Sequence, residues 1–396
     1  MKQLSKELLL LLCAVVSCGA AWAQGNVVWV KVTDYSNLST NDTYVIAGNG
    51  ISGGATTWYS LKNNEVKTAS TLPIGSVLTI TGDRITSIIT DDETWVLEQV
   101  IGKDDVYYIK STKGQFYLEA TSNTTSYIRS KQNNNYNQWK IHYTDSYTNN
   151  NNTRTVTGLY LPFLTNGREM AVFDNGTVHE WRSYGPSNYI NVDKEEVVLY
   201  RKMIVVSISS AQYASFCSNC SLDFSGTGMT VYKAKGTESA VTLTRVEDGI
   251  VPANTGVVLY NKTATNQNVP VTTMTGSTDW SDNELIGITE RTKISVNGAE
   301  GKTNYILSKE DDVVGFYLAA SGEGAYLAAN RAYLSTSATQ QLVPQYLGFE
   351  EEITGIQSLT PTLSQGEGDC YDLSGRRVVQ PTKGMYIING RKVYVK

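Results

Sequence analysis

Histidine is the side chain that most often exchanges protons near neutral pH, and this chain of 396 residues contains two. His142 follows a tryptophan by three positions in a strand-like run, and His179 precedes Trp181 by two positions. Neither stands in a nucleophile motif, because the chain contains no G-x-S-x-G and no H-E-x-x-H sequence. We interpret both as surface or strand histidines and predict a protein that is not an enzyme and has no cofactor.

Cys217-Ser218-Asn219-Cys220 has the spacing of a thiol–disulfide redox motif. Redox catalysis would need the first cysteine at a helix N-terminus, where the helix dipole lowers the thiol pKa. This motif follows a strand-like run, and no helical pattern comes after it. The spacing therefore indicates a structural disulfide or two strand thiols, and the redox state stays open. A zinc site would need two more ligands, and none is suitably spaced.

Carboxylates cluster at residues 91–93, 104–105 and 310–312, between strand-like runs. Glycosidase chemistry needs two carboxylates that face each other across a cleft, which adjacency in sequence does not indicate. We expect these side chains to be solvated turn residues. Residues 279–284 are rich in oxygen ligands but lack the spacing of an EF-hand loop, so no metal site is predicted.

Aromatic residues are the remaining indication of a ligand, since the chain contains 25 Tyr and 7 Trp. Such rings can stack on sugars and provide rigid contact area. Trp29, Trp95 and Trp139 recur in similar strand-like runs, which favours a role in core packing, whereas Trp280 stands outside this pattern. The net charge of −5 provides no basic excess for binding a phosphate backbone, so nucleic acid is not expected as a partner.

Turn chemistry indicates an all-β protein. Residues 76–81 alternate, Gly82-Asp83 provides a turn, and residues 84–88 resume the alternation, which predicts a hairpin. After the N-terminal region, no segment of a dozen residues keeps a helical period. Asn-Gly, which favours tight turns between antiparallel strands, occurs five times. These dipeptides are Asn49-Gly50, Asn166-Gly167, Asn175-Gly176, Asn297-Gly298 and Asn389-Gly390.

A threefold repeat of strand-like segments indicates a β-trefoil-like barrel over residues 26–202. Its members begin at Trp29, Trp95 and Trp139. Short strands with a turn about every ten residues predict an antiparallel β-sandwich over 203–348. A polar linker over 349–369 then leads to a small C-terminal β unit over 370–396.

The N-terminus has the pattern of a secretory signal peptide over residues 1–23. Lys2 and Lys6 precede a short apolar run, and Ala21-Trp22-Ala23 forms a small-x-small cleavage site, so cleavage between Ala23 and Gln24 is predicted. A lipoprotein anchored at Cys18 is the alternative. The later sequence contains no apolar run long enough to span a membrane.

The C-terminal tail contains Tyr371-Asp372-Leu373-Ser374-Gly375-Arg376-Arg377-Val378, then Gly384-Met385-Tyr386 and Asn389-Gly390. These motifs resemble the sorting domain of proteins that Bacteroidetes bacteria export by type IX secretion. In that family an Asp-x-x-Gly-Arg-x-Val strand pair precedes a Gly-x-Tyr strand and a closing hairpin. The resemblance implies recognition of the tail by the secretion machinery. It assigns the sorting motif to Asp372, Leu373, Gly375, Arg376, Val378, Gly384, Tyr386, Asn389 and Gly390.

Residues 213–216, 250–259, 315–317 and 330–334 also resemble a recurrent extracellular β-module of this group of proteins. That resemblance implies no defined activity. The expected protein is therefore secreted or displayed on the outer cell surface, where it binds a glycan or a surface protein without catalysis. A structural surface or matrix component without a small ligand is the alternative, and a hydrolase with an unrecognised site comes third.

Overall fold

The computed structural model describes the chain in nineteen segments. They are residues 27–36, 38–52, 55–63, 75–114, 116–120, 128–131, 137–149, 152–161, 168–174, 176–177, 179–184, 197–237, 239–321, 324–337, 343–351, 370–371, 377–378, 384–388 and 391–395. The chain divides into two compact units, Met1–Glu351 and Glu352–Lys396. The helical elements within the described segments are two 3-10 turns, Asp91–Glu93 and Ala299–Gly301, so the all-β prediction is confirmed.

The first fifteen strands belong to one large sheet. They are β1 Val27–Lys31, β2 Tyr44–Ser52, β3 Ala55–Ser60, β4 Val77–Leu78, β5 Ile80–Thr81, β6 Arg84–Ile85, β7 Thr94–Gln99, β8 Val106–Ser111, β9 Tyr117–Ala120, β10 Ile128–Lys131, β11 Gln138–Asn149, β12 Asn152–Leu161, β13 Arg168–Asp174, β14 His179–Tyr184 and β15 Val197–Ile208. The hairpin expected around Gly82 is present, because β5 and β6 pair across this glycine at a φ of 62°.

The remaining strands of the first unit follow β15. They are β16 Tyr213–Phe216, β17 Leu222–Asp223, β18 Thr230–Gly236, β19 Ala240–Arg245, β20 Ile250–Val251, β21 Val257–Tyr260, β22 Thr265–Pro270, β23 Leu285–Ile288, β24 Thr292–Ile294, β25 Thr303–Glu310, β26 Val313–Leu318, β27 Ala325–Leu327, β28 Arg331–Thr336 and β29 Tyr346–Glu351. Strand β22 completes the large sheet as its sixteenth strand.

The large sheet curls into a nearly closed, barrel-like form with the strand order β14-β13-β12-β11-β8-β7-β2-β15-β1-β6-β5. Its two sides approach each other at glycines of β2. A Cβ atom on Gly48 would lie 2.5 Å from the Trp181 ring, and one on Gly50 would lie 2.6 Å from Asp174 Cβ. The turn predicted at Asn49-Gly50 is therefore wrong, because this pair lies inside β2, where the glycine allows close packing.

Three buried tryptophans organise the core of this sheet. Trp95, Trp139 and Trp181 are each at most 1% exposed. Their indole N–H groups donate to Leu61 O at 3.0 Å, Leu118 O at 2.9 Å and Ser60 O at 2.7 Å, respectively. Trp29 packs in a separate cluster with Val45, Ala47 and Tyr200. Trp29 therefore lies outside the core cluster of Trp95 and Trp139 with which it was grouped by sequence, whereas Trp181 belongs to that cluster.

Strand β15 connects this sheet to the rest of the first unit. Its first residues pair with β2 and β1, and Met203–Ile208 pairs with β22. Ile204, Val206 and Ile208 then enter a second core cluster with Phe224 and Val269. One continuous strand thus crosses residues 202 and 203, where we predicted a boundary between domains.

A nine-stranded sheet in the order β16-β21-β18-β19-β29-β26-β25-β28-β23 forms the rest of the first unit. Its core combines side chains from both halves of this order, such as Val241 and Val258 with Leu285 and Phe316. An isolated bridge between Thr255 and Ile286 joins the two ends. Two short pairs, β17–β20 and β24–β27, complete this unit.

The second unit has the sheet order β31-β30-β32-β33, from β30 Cys370–Tyr371, β31 Arg377–Val378, β32 Gly384–Ile388 and β33 Arg391–Val395. Strands β32 and β33 pair antiparallel, with Ile388 opposite Arg391. No helix in the described segments of the chain is long and apolar enough to cross a membrane.

Substitution of a core tryptophan tests this account of the barrel. Trp95→Phe removes the indole N–H and leaves the buried carbonyl of Leu61 without its donor, so we expect the free energy of unfolding to fall by about 2 to 3 kcal/mol. Urea unfolding of the purified protein measures the change. Trp280→Phe is the control, because Trp280 is only partly buried beside its cluster. Equal losses at the two positions would contradict the role assigned to Trp95.

Candidate functional site

The outer face of the nine-stranded sheet follows from the alternation of its strands. Leu285, Tyr305, Phe316, Leu334 and Leu347 belong to the core cluster and are at most 5% exposed. Because successive side chains of a strand point to opposite faces, the neighbours of these residues in the chain point outward. The outer face is therefore defined by the residues directly beside each core position.

A row of apolar and aromatic side chains crosses this outer face at a right angle to five strands. Strand pairing places Ile286 opposite Tyr333, Tyr333 opposite Ile306, Ile306 opposite Tyr317, and Tyr317 opposite Tyr346. We call these five residues the aromatic row. Ile286 is 42% and Tyr346 is 37% exposed, and the other three are partly exposed. The row is thus a continuous, solvent-accessible apolar stripe.

The tyrosine rings in this row are held in place by their own contacts. The Tyr317 and Tyr346 ring centroids lie 4.9 Å apart, at an interplanar angle of 47°. The Tyr317 hydroxyl donates to Val313 O at 2.9 Å. Burial raises the pKa of Tyr333 and of Tyr317, and the nearby Glu310 adds to the rise at Tyr317. Both phenols are therefore neutral at physiological pH.

Gly315, beside the row, leaves room for the Tyr346 ring to pack against the backbone of β26. A Cβ atom on Gly315 would lie 2.3 Å from Tyr346 Cε2 and 2.9 Å from Leu347 O, a separation that no real side chain allows. The ring therefore covers the backbone of β26 at a position that only glycine can occupy. The arrangement can bind a flat or extended ligand, but it contains no nucleophile.

Tyr59, Asp174 and His179 form a hydrogen-bonded cluster that sequence analysis missed. His179 Nδ1 lies 2.9 Å from Asp174 Oδ1, and the Tyr59 hydroxyl donates to Asp174 Oδ2 at 3.1 Å. The Asp174 side chain is 1% exposed and that of His179 is 40% exposed. Burial and Asp174 raise the pKa of Tyr59. These contacts tie β13 and β14 to β3, and the cluster joins elements far apart in the chain.

The cysteines of the redox-like motif are two free thiols. Cys217 is completely buried, and a Cβ atom on Gly287 would lie 2.4 Å from its sulfur. Burial raises the pKa of Cys217 to about 11. Cys220 is partly exposed. Of the two arrangements predicted from the spacing, the structure has the pair of thiols.

The acidic clusters have two different environments. Residues 104–105 and 310–312 are exposed, as predicted, and Asp311 and Asp312 adopt φ angles of 45° and 67° in the turn before β26. The prediction is wrong for Glu93, which is 1% exposed. Its carboxylate accepts hydrogen bonds from Ser60 Oγ at 2.5 Å and from Thr90 N at 2.8 Å. Because these donors compensate its burial, Glu93 is a structural residue.

Oxygen atoms of the segment 279–284 accept hydrogen bonds from other parts of the protein. Lys233 donates to Asp282 Oδ1 at 2.6 Å and to Asp279 O at 2.9 Å, and Glu284 Oε2 accepts from Gly236 N at 2.8 Å. Within the described residues, no group of three or more His, Cys, Asp or Glu side chains could hold a metal ion.

Most residues of the predicted cleavage site and sorting motif lie outside the described segments. These are Cys18, Ala23, Gln24, Asp372, Leu373, Gly375, Arg376, Asn389 and Gly390. Val378 lies in β31, and Gly384 and Tyr386 lie in β32. Their assignment to a sorting motif stays a prediction.

No protein-family model matches the chain, and no curated protein is detectably similar to it.

The aromatic row was not predicted from the sequence, because its members come from five separate strands. A partial signal was available, since Gly315-Phe316-Tyr317 and Ala332-Tyr333-Leu334 alternate core positions with tyrosines. Strand pairing was needed to place these tyrosines beside one another.

Thiol labelling tests the environment of the two cysteines. In the reduced native protein at pH 8, we expect Cys217 to react about a hundredfold more slowly than Cys220 with iodoacetamide, because the thiolate is the nucleophile and burial raises the pKa of Cys217. Peptide mapping by mass spectrometry measures both rates, and labelling in urea is the control. Similar rates in the native protein would contradict a buried Cys217.

Proposed function

We propose that this chain is an exported, non-catalytic binding and display protein whose aromatic row holds an extended glycan. The observation that carries the proposal is the in-register line of Tyr333, Tyr317 and Tyr346 on an exposed sheet face. Contiguous exposed apolar surface is a common feature of interaction sites on proteins.

The spacing of the row supports a glycan as the ligand. Adjacent strands lie about 4.8 Å apart, so Tyr333 and Tyr317 are separated by about 10 Å and Tyr317 and Tyr346 by a single strand. An extended polysaccharide presents the apolar face of a sugar ring at comparable intervals. Tyrosine rings bury such faces while their hydroxyls stay in contact with water or backbone. A linear chain that lies along the row would therefore contact several rings at once.

We further propose that residues 26–202 form a β-trefoil-like barrel and that residues 203–348 form a β-sandwich. The equivalent contacts of Trp95 and Trp139 with backbone carbonyls support the first assignment, since repeats related by pseudo-symmetry place the same residue type in the same contact. A core built from both halves of the nine-stranded sheet supports the second.

Export is the third part of the proposal. The signal-like residues 1–23 and the resemblance of the tail to type IX sorting domains support a protein that is secreted or held on the outer cell surface. In this proposal the C-terminal unit is the part that the secretion machinery recognises, and the first unit carries the binding face. A lipoprotein anchored at Cys18 is the alternative.

Substitutions in the row test the proposed binding. We expect the mature protein to bind at least one linear polysaccharide on a glycan array, and Tyr317→Ala with Tyr346→Ala to weaken binding about tenfold to a hundredfold through loss of two stacking rings. Isothermal titration measures the affinity. Tyr326→Ala is the matched control, because Tyr326 is 57% exposed but lies outside the row.

Two results of this experiment would contradict the proposed function. One is the absence of binding to every polysaccharide, which would favour a structural surface component. The other is an equal loss of affinity in the double variant and in the Tyr326→Ala control. Circular dichroism of each variant checks that the fold is retained.

Deletion of the tail tests export. Removal of residues 371–396 should prevent the protein from reaching the cell surface in its native bacterium, because the sorting motif would be lost. Surface proteolysis of intact cells, with mass spectrometry of the termini, measures its location. A truncated protein at the surface in normal amount would show that the tail is not a sorting signal.

A further inference from the structure

A second cluster of polar and aromatic side chains lies on the outer face of the large sheet. It contains Glu98 of β7, Tyr108 and Lys110 of β8, Tyr117 of β9 and Gln138 of β11. We call these five residues the barrel patch. Pairing places Glu98 opposite Tyr108, Tyr108 opposite Gln138, and Lys110 opposite Tyr117.

The barrel patch points away from the tryptophan core. Leu97, Ile109, Leu118 and Trp139, which stand next to its members in the chain, are completely buried. Side chains of a strand alternate between faces, so the patch residues are on the outside. The side chain of Glu98 is 41% exposed and that of Lys110 is 22% exposed. The residues of the barrel patch therefore do not contribute to the core, and packing of the core does not explain their residue types.

Hydrogen bonds fix the orientation of the patch side chains. Glu98 accepts from Lys110 Nζ at 2.9 Å through one oxygen and from the Tyr117 hydroxyl at 2.7 Å through the other. Gln138 Nε2 donates to the Tyr108 hydroxyl at 3.3 Å. The Tyr108 and Tyr117 rings meet edge to face, with centroids 6.0 Å apart. The donors, acceptors and rings are thus ordered before any ligand arrives, which lowers the entropic cost of binding.

The charges of the patch are balanced and constant near neutral pH. Burial acts to raise the pKa of Glu98, but the hydrogen bonds from Tyr117 and Lys110 outweigh it and hold that pKa below its ordinary value. The hydrogen bond to Glu98 raises the pKa of Lys110. Glu98 is therefore an ionised acceptor and Lys110 a charged donor, and their charges balance. Lys103, which donates to Gln138 Oε1 at 3.0 Å, adds one positive charge at the edge of the patch. The adjacent, exposed Asp104 carries the opposite charge, so the surroundings also provide no excess charge for an ionic ligand.

We infer that the barrel patch is a second binding site, which takes one uncharged, hydroxyl-rich ring such as a terminal neutral sugar. Vicinal hydroxyls can donate to the free lone pairs of Glu98 and accept from Lys110 or Gln138, while the carbon face of the sugar ring packs against Tyr108 or Tyr117. The carboxylate, ammonium and amide groups thus match the hydroxyl groups of a sugar ring, and the tyrosine rings match its apolar carbon face. This inference goes beyond the proposed function, because the aromatic row contributes no residue to this site.

The two surfaces differ in the ligands they suit. The aromatic row offers a line of rings with few polar partners, which suits an extended chain. The barrel patch offers two rings with charged hydrogen-bonding groups, which suits a single ring with specific hydroxyl positions. A protein with both sites would hold a glycan at two points and gain avidity when their spacing fits.

The test uses a panel of neutral methyl pyranosides and, as a charge comparison, a methyl uronide, with the mature protein. We expect at least one neutral pyranoside to bind by titration calorimetry and ligand-observed NMR, and the uronide to bind more weakly. Glu98→Gln should reduce the affinity about tenfold or more, because hydrogen bonds to a charged acceptor are the strong ones. Tyr108→Ala should also weaken binding, through loss of one ring.

Lys140→Gln is the matched control, since Lys140 pairs with Asp105 on the same sheet but outside the patch. It should bind the pyranoside like the unaltered protein, as should the double tyrosine variant of the aromatic row. If that double variant loses polysaccharide binding but still binds the pyranoside, the barrel patch is a site separate from the aromatic row. Failure of the unaltered protein to bind any neutral pyranoside, or unchanged affinity in Glu98→Gln, would overturn the inference. Thermal unfolding of Glu98→Gln checks that the barrel is intact.

Discussion

The register of β15 is the constraint on which the first unit depends. Its residues Val197 and Leu199 enter the tryptophan core, and Val198 and Tyr200 enter the cluster on the opposite face. Further along the same strand, Ile204, Val206 and Ile208 enter a third cluster. A shift by one residue would exchange the faces of every side chain on this strand. All three clusters would lose their contacts together, so the strand has a single acceptable register.

Close beside this strand, a buried ion pair reinforces the same junction. Asp42 is 1% exposed and pairs with Arg201, while the backbone of Thr273 donates to Asn41 O at 2.7 Å. Burial raises the pKa of Asp42, and the Arg201 guanidinium opposes this rise. Removal of the Arg201 charge would leave the buried Asp42 carboxylate without its charged partner, which is costly in a protein interior. The pair therefore favours one arrangement of the large sheet against the strands that follow it.

The surfaces proposed for binding are the outer faces of the same strands that form the cores. Alternation assigns every second residue to packing, so the remaining positions can vary without loss of the interior. In the nine-stranded sheet these positions carry tyrosine and isoleucine, and on the barrel they carry tyrosine with charged and amide groups. The two faces thus differ in chemistry although one rule of strand geometry produces both.

Local sequence determined the class of the fold. Alternation, tight-turn residues and the absence of helical periodicity sufficed for an all-β prediction, because these signals act within a few neighbouring residues. The hairpin at Gly82 was predictable for the same reason. Asn49-Gly50 shows where local sequence is not sufficient for prediction. Its glycine is needed for close packing against Asp174, which is more than a hundred residues away in the chain. Long-range pairing alone decided that Trp181 joins Trp95 and Trp139, and that Tyr333, Tyr317 and Tyr346 stand in line. A surface assembled from several strands leaves only scattered residues in the sequence, because the hydrogen bonds that align the strands join distant parts of the chain.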